Sequence, residues 1–256
     1  MHSIFAAALG LLPLFAYAAE PPAEPIRVAL YAGDGARPVP VQKILAADPA
    51  FQLTMVNAED IRRGALDKAD VVIFPGGRGL PQSQALGPEG HRALKKFLAD
   101  GGGYLGLCAG AYLATTDSPG ALSLINAKVR SPKWDRGITM LKIELTAAGK
   151  ILYGDAPGLL EIRYENGPVV EPAGIADLPE YEVLAWFRSE IAENGTPPGI
   201  QIDSPAILTA PYGKGRVLIS SPHPELTPAL NDWIKRNVRY LAKTQSQEPV
   251  SHSRKL

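Results

Sequence analysis

The chain has one cysteine in 256 residues. A lone cysteine excludes an internal disulfide framework, so the thiol is either an apolar core filler or a group kept for chemistry. Charge excess of either sign is also missing. Lys and Arg total 26 and so do Asp and Glu, which removes the basic footprint expected of a nucleic-acid binder. Histidine is scarce, at four residues. One Cys and one centrally placed His do not give the ligand spacing of a structural zinc site, and Asp34 and Asp203 are scattered acids, so no metal and no cofactor is expected.

No apolar run is long enough for a comfortable membrane span. The longest, Ile4 to Ala18, ends in Ala16-Tyr17-Ala18 and is followed by Glu20, Pro21 and Pro22. That pattern predicts a secretory signal over residues 1–19, a stiff leader over 20–25, a domain over 26–243 and a polar disordered tail over 244–256. The expected location is therefore exported, periplasmic or secreted, with no stable span after cleavage. The n-region lacks Lys and Arg, so a retained N-terminal anchor stays open.

What is present reads as alternating strands and helices. Ile26–Tyr31, Phe51–Val56, Ala69–Phe74 and Gly103–Leu107 are β-rich and continuously apolar, as buried parallel strands are. Helical stretches fall between them at Val39–Ala47, Ala58–Leu66 and Gly87–Ala99. This alternation predicts a doubly wound, mostly parallel α/β sheet with helices on both faces. The second half changes character. Met140–Leu145, Leu160–Tyr164, Tyr181–Phe187, Ala206–Ala210 and Arg216–Ser220 are short strands between Gly and Pro turns, and predict added antiparallel strands. Leu226–Ala242 has helical spacing and is expected to close the fold.

Cys108 follows the fourth strand directly, with Gly106 and Gly110 two residues to either side and a helical stretch, Ala109–Thr115, after it. This is the cysteine form of the Gly-x-Ser-x-Gly nucleophile elbow. A helix N-terminus favours a thiolate there, and the N–H of Ala109 is placed to stabilise an oxyanion. The alternative is a buried Cys at a strand–helix junction. His2 and His252 lie in the two terminal segments and His91 on a surface helix, which leaves His223 as the candidate base. His223 follows a strand, sits between Pro222 and Pro224, and has Glu225 two residues on to fix its tautomer. A loop histidine beside turn prolines is the plain alternative.

Pro75-Gly76-Gly77-Arg78-Gly79 also follows a strand. Its Gly76 and Gly77 N–H groups are candidates to complete an oxyanion hole, and Arg78 is a candidate carboxylate ligand or a solvated loop residue. Tyr164 and Asn166, in Tyr164-Glu165-Asn166-Gly167-Pro168, either line a cleft or make a simple hairpin turn.

FPGGRGLP at 74–81, GGGYLGLCAGAYLA at 101–114, YENGP at 164–168 and GKGRVLISSPHPE at 213–225 resemble, in order and spacing, the class I glutamine amidotransferase-like superfamily. More narrowly they are similar to the biotin-protein ligase N-terminal-like family. The resemblance implies a flavodoxin-like sandwich in which Cys108 is the nucleophile, His223 the base and Glu225 the orienting carboxylate, with Ala109, Gly76 and Gly77 around the oxyanion. Members of the superfamily release ammonia from a glutamine amide for a synthase domain. No second catalytic stretch is legible here, so the expectation is hydrolysis of a small-molecule amide or a peptide. A non-catalytic ligand- or partner-binding module on the same fold is the alternative.

Overall fold

A computed structural model of the chain describes residues 24–131, 133 and 135–242. The expected signal segment, most of the leader and the expected tail lie outside the described residues.

The first half alternates as the sequence predicts: β1 (Ile26–Tyr31), α1 (Val39–Ala46), β2 (Phe51–Val56), α2 (Ala58–Arg62), β3 (Val71–Phe74), α3 (Gly79–Ala99), β4 (Gly103–Leu107) and α4 (Ala109–Ala114). There follow β5 (Ala127–Val129), β6 (Ile138–Leu145), α5 (Ala147–Tyr153), β7 (Leu160–Glu165), β8 (Val170–Pro172), β9 (Glu182–Phe187), β10 (Pro205–Tyr212), β11 (Gly215–Ser220) and α6 (Asp232–Ala242). Among the described residues one sheet runs in the order β2-β1-β3-β4-β11-β10-β9-β6-β7. Pairing is parallel from β2 to β11 and antiparallel from β11 to β7. The fold is thus an α/β sandwich with a parallel core and an antiparallel extension.

Side chains alternate across each strand, so both faces of the sheet need cover. On β1, Val28 and Leu30 enter an apolar cluster with Val41 and Leu45 of α1 and Trp233, Ile234, Val238 and Leu241 of α6. Their neighbours Ala29 and Tyr31 enter a second cluster with Ile61 of α2, Leu86, Leu94 and Leu98 of α3, and Ala111 and Leu113 of α4. Each such fully buried aliphatic side chain contributes about 1.5–3 kcal/mol, which is why the strands of this half read as continuous apolar runs.

Several boundaries differ from the expectation. The helix expected from Gly87 begins eight residues earlier, because Gly87 (φ 60°, ψ −178°) joins two helical pieces across a kink rather than starting one. The helix expected over Ala58–Leu66 stops at Arg62 and gives way to a 3-10 turn over Ala65–Lys68. The closing helix begins at Asp232, not Leu226. Pro224 and Pro228 each lead a 3-10 turn instead, since proline lacks the N–H a continuing helix needs. Helix α5 was not expected, although Thr146 accepts the N–H of Gly149 as a cap. Strand β8 was not expected either; it pairs with β5 in a separate two-stranded ribbon.

Candidate active site

β4 and β11 are adjacent and parallel, with Leu107 opposite Ser220. Their C-terminal ends therefore deliver the next residues to the same edge of the sheet, where parallel α/β folds form sites. Cys108 is tied across that edge, its N–H donating to the carbonyl of Ser220 at 2.9 Å.

Cys108 has φ 48° and ψ −95°. A non-glycine residue held there costs about 1–3 kcal/mol, and the neighbours hold it. A Cβ on Gly110 would lie 2.1 Å from the carbonyl oxygen of Phe74, so only glycine lets α4 approach β3 this closely. As the first residue of α4, Ala109 has no helical acceptor for its N–H.

The loop after β11 carries the base. His223 donates its backbone N–H to Arg163 O of β7 (2.8 Å), and its own carbonyl accepts the Thr227 hydroxyl (2.9 Å). Its Nδ1 lies 2.6 Å from Oε1 of Glu225. Both side chains are buried, with His223 3% and Glu225 8% exposed. Burial alone would lower the pKa of His223. The negative charge of Glu225, and that of Cys108 once it is a thiolate, with hydrogen bonding to each, outweigh it and raise the imidazole well above its usual 6.5. Nε2 of His223 has no well-aligned hydrogen-bond partner, so its coupling to Cys108 runs through charge more than through a formed bond. In the resting arrangement the Cys108 thiol points elsewhere and donates to the carbonyl of Glu165 at 3.3 Å.

Gly76 packs against this pair: a Cβ there would meet Cε1 of His223 at 2.9 Å and Cβ of Cys108 at 3.8 Å. The bridge between Ala36 and Gly77 uses the oxygen of Gly76 and the N–H of Arg78, leaving the N–H groups of Gly76 and Gly77 outside it. The structure thus brings together Cys108, His223, Glu225, Gly76 and Ala109, with Gly77 beside them. Arg78 is not among them. It is an exposed residue heading α3, and its side chain makes no ion pair among the described residues.

Tyr164 and Asn166 do not line an open cleft, nor do they form a hairpin, because β7 pairs with β6 and β8 with β5. They shape a strap across the thiol. The Tyr164 hydroxyl donates to Gly167 O at 2.7 Å, and Asn166 (φ 56°) accepts the Tyr112 hydroxyl on its carbonyl at 3.1 Å. Cys108 beneath is 7% exposed. Two surface cavities, of about 390 and 360 Å³, lie against β1–β2 and beside Lys43 and Lys235, and contain none of these residues. No group of three or more His, Cys, Asp or Glu able to hold a metal occurs among the described residues, and no described helix is long and apolar enough to cross a membrane.

Sequence reading missed Arg136, which is fully buried and donates to the Tyr112 hydroxyl and to Ser131 O. It also missed Gln201, which is buried and accepts the N–H of Ile191. Neither carries a sequence signal, because periodicity registers apolar side chains and a buried polar one looks like loop.

Comparison with known proteins bears on the first half of this arrangement. Residues 26–119 match the biotin-protein ligase N-terminal family. The matched segment holds Cys108, Ala109 and the Gly76-Gly77 turn, while His223 and Glu225 lie beyond it. An uncharacterized protein of Chlamydia muridarum is 26% identical over 67% of this chain. The match spans 66% of that relative's length, a little under two thirds. Among solved structures, PurLQS from Thermotoga maritima superposes with a TM-score of 0.60 at 14% identity, covering 87% of this chain and 100% of that one. A protein assigned as a GMP synthase subunit, from Thermoplasma acidophilum, gives 0.56 at 15% identity, over 87% and 96% of the two chains. The fold is that of the glutamine amidotransferase-like proteins, as the motifs implied.

Proposed function

We propose that the chain is a cysteine-dependent amide hydrolase with Cys108, His223 and Glu225 as its triad. The observation that carries this reading is the buried His223–Glu225 pair set beside a cysteine held at positive φ. In the reaction, Sγ turns from Glu165 O toward His223 and passes its proton to Nε2. The thiolate attacks the amide carbonyl carbon, and the oxyanion rests on the N–H groups of Ala109 and the Gly76-Gly77 turn. The C–N bond breaks as His223 returns the proton to the leaving amine, giving a thioester. Water, deprotonated by His223, then releases the acid and restores the thiol. Glu225 keeps the imidazole in one orientation throughout.

The resting bond from Sγ to Glu165 O favours a second reading, a module that captures a ligand or partner without turnover. The rate of iodoacetamide labelling at neutral pH separates the two. For the hydrolase, Cys108 labels in the folded protein and the rate falls by about tenfold or more in His223→Ala, a modest share of what a positioned base supplies. A thiol that stays unlabelled until unfolding, or a rate indifferent to His223, leaves the binding module.

Export is part of the same proposal, with cleavage after Ala18 or Ala19. It is checked by the intact mass of protein recovered outside the cytoplasm, where a full-length chain would refute cleavage.

A further inference from the structure

The nine-stranded sheet ends in β2 on one side and in β7 on the other. The two ends are finished differently. β7 carries Glu161, Arg163 and Glu165. Its free side is already bonded: Arg163 donates its N–H to the Thr227 hydroxyl at 2.9 Å, and its carbonyl accepts the N–H of His223 at 2.8 Å. Charge and a covering loop are ordinary protections of a sheet edge against further pairing. β2, Phe51-Gln52-Leu53-Thr54-Met55-Val56, has no charge and no proline, and its register against β1 is unbroken by a bulge.

The bonding pattern shows which groups of β2 are left over. Ile26 donates to Ala50 O and Ala32 donates to Val56 O. Bonds of a parallel pair recur at every second residue. Gln52, Thr54 and Val56 therefore face β1, while Phe51, Leu53 and Met55 turn their backbone groups outward. The Phe51 N–H is taken by Asp48 O at 3.1 Å, and the Arg239 guanidinium lies over the Phe51 ring. The outward groups of Leu53 and Met55 have no partner among the described residues. Side chains leave the edge open, since Gln52, Thr54 and Met55 are exposed and a surface cavity is lined by Thr54 and Val56.

We propose that this edge binds a second copy of the chain, β2 pairing antiparallel with β2 about a two-fold axis at Thr54. Leu53 then lies opposite Met55 of the copy, and Met55 opposite its Leu53. Each of these two pairs exchanges two N–H···O=C bonds, so the four bonds use every outward N–H left on both strands. Leu53 and Met55 point to one face, where their side chains meet as an apolar patch across the seam. Thr54 meets Thr54 on the other face. An uncharged edge is compatible with itself, whereas like charges facing each other across the axis would repel. The product is one continuous sheet of eighteen strands, nine from each copy. Antiparallel pairing turns the two Cys108 edges in opposite directions, with β1 and β3 between the seam and β4. The pairing is thus independent of the chemistry assigned to the thiol.

The test reads oligomeric state and register separately. Sedimentation of the purified protein at about 100 µM, where contacts of modest area assemble, should give twice the mass of one chain. Met55→Lys should weaken the association by at least about tenfold, since a charge on an edge blocks pairing. Met55→Pro should do the same, because it deletes an outward N–H that β1 does not use. Register is read by disulfide formation under mild oxidation. Residues opposite each other at a non-hydrogen-bonded position have α-carbons about 4.5 Å apart, within the span of a disulfide. Thr54→Cys should therefore cross-link at least about tenfold faster than Gln52→Cys, which lies opposite Val56 of the copy. It should also outpace the wild type, whose one cysteine is buried. A monomer at that concentration overturns the proposal, whatever else covers the edge. A dimer that both Met55 variants leave at full strength overturns it as well, and so does equal cross-linking of the two cysteines, because another surface then holds the copies together. Wild-type sedimentation and the cysteine pair decide the matter even where Met55→Pro does not fold.

Discussion

The α-carbon of Gly76 faces the imidazole of His223 so closely that one methyl group does not fit between them. A Cβ at position 76 would lie 2.9 Å from Cε1 of His223 and 3.5 Å from Nδ1. Gly76→Ala is therefore expected to push the ring away from Cys108. Overpacking of this kind costs about 1–3 kcal/mol. Urea denaturation should show that loss, and iodoacetamide labelling at neutral pH should slow with it. A variant with wild-type labelling would mean that His223 has no part in activating the thiol.

The charge state of His223 gives a prediction with a definite sign. In the folded protein burial lowers its pKa, but Cys108 and Glu225 raise it further, to well above the unfolded value of about 6.5. The share of that rise due to Glu225 means that the folded chain holds a proton the unfolded chain releases, whereas the share due to a Cys108 thiolate only moves a proton within the pair and leaves the count unchanged. The stability this contributes is fully present below about pH 6.5 and is lost as pH rises through the folded-state value. For one proton the slope is at most about 1.4 kcal/mol per pH unit. Urea midpoints between about pH 6 and about pH 8 should fall in the wild type, and fall less steeply in Glu225→Gln, where one of the two raising charges is gone. A rising wild-type profile would contradict the charge pairing.

Thr227 is expected to act as a positioning residue. Its hydroxyl donates to His223 O at 2.9 Å and accepts the N–H of Arg163 at 2.9 Å, so it pins the His223 loop to β7. Thr227→Val keeps the shape and strands the Arg163 N–H. A loss of about 1–3 kcal/mol is expected, again read from urea unfolding, together with slower Cys108 labelling. Thr227→Ser restores the hydroxyl and should restore the labelling rate. If Ser and Val behave alike, the hydroxyl does not position the base.

The parallel half of the fold was legible because its strands are buried on both faces and read as unbroken apolar runs. The elbow was legible because a strained nucleophile needs Gly106 and Gly110 nearby in sequence. Punctuation misled the reading elsewhere. Gly79 and Pro81 looked like loop and Gly87 like a helix start, yet α3 runs from Gly79 to Ala99, with only Gly87 non-helical. Leu230, Trp233 and Ile234 kept a helical spacing that hid the break at Pro228. Arg136 escaped altogether. Its burial is a property of segments far apart in the chain: Tyr112 in α4 meets its Nη1, and the buried Gln201 lies in the loop before β10.

The placement of β11 between β4 and β10 makes the site a late product of synthesis and folding. The thiol-bearing strand leaves the ribosome more than a hundred residues before the strand that brings His223 beside it. Pairings of such large sequence separation close slowly. Until β11 docks, Cys108 lacks both its base and the Ser220 carbonyl that tethers its N–H. A chain cut short after β9 would keep its nucleophile and lose both, so chemistry at Cys108 can report that folding is complete.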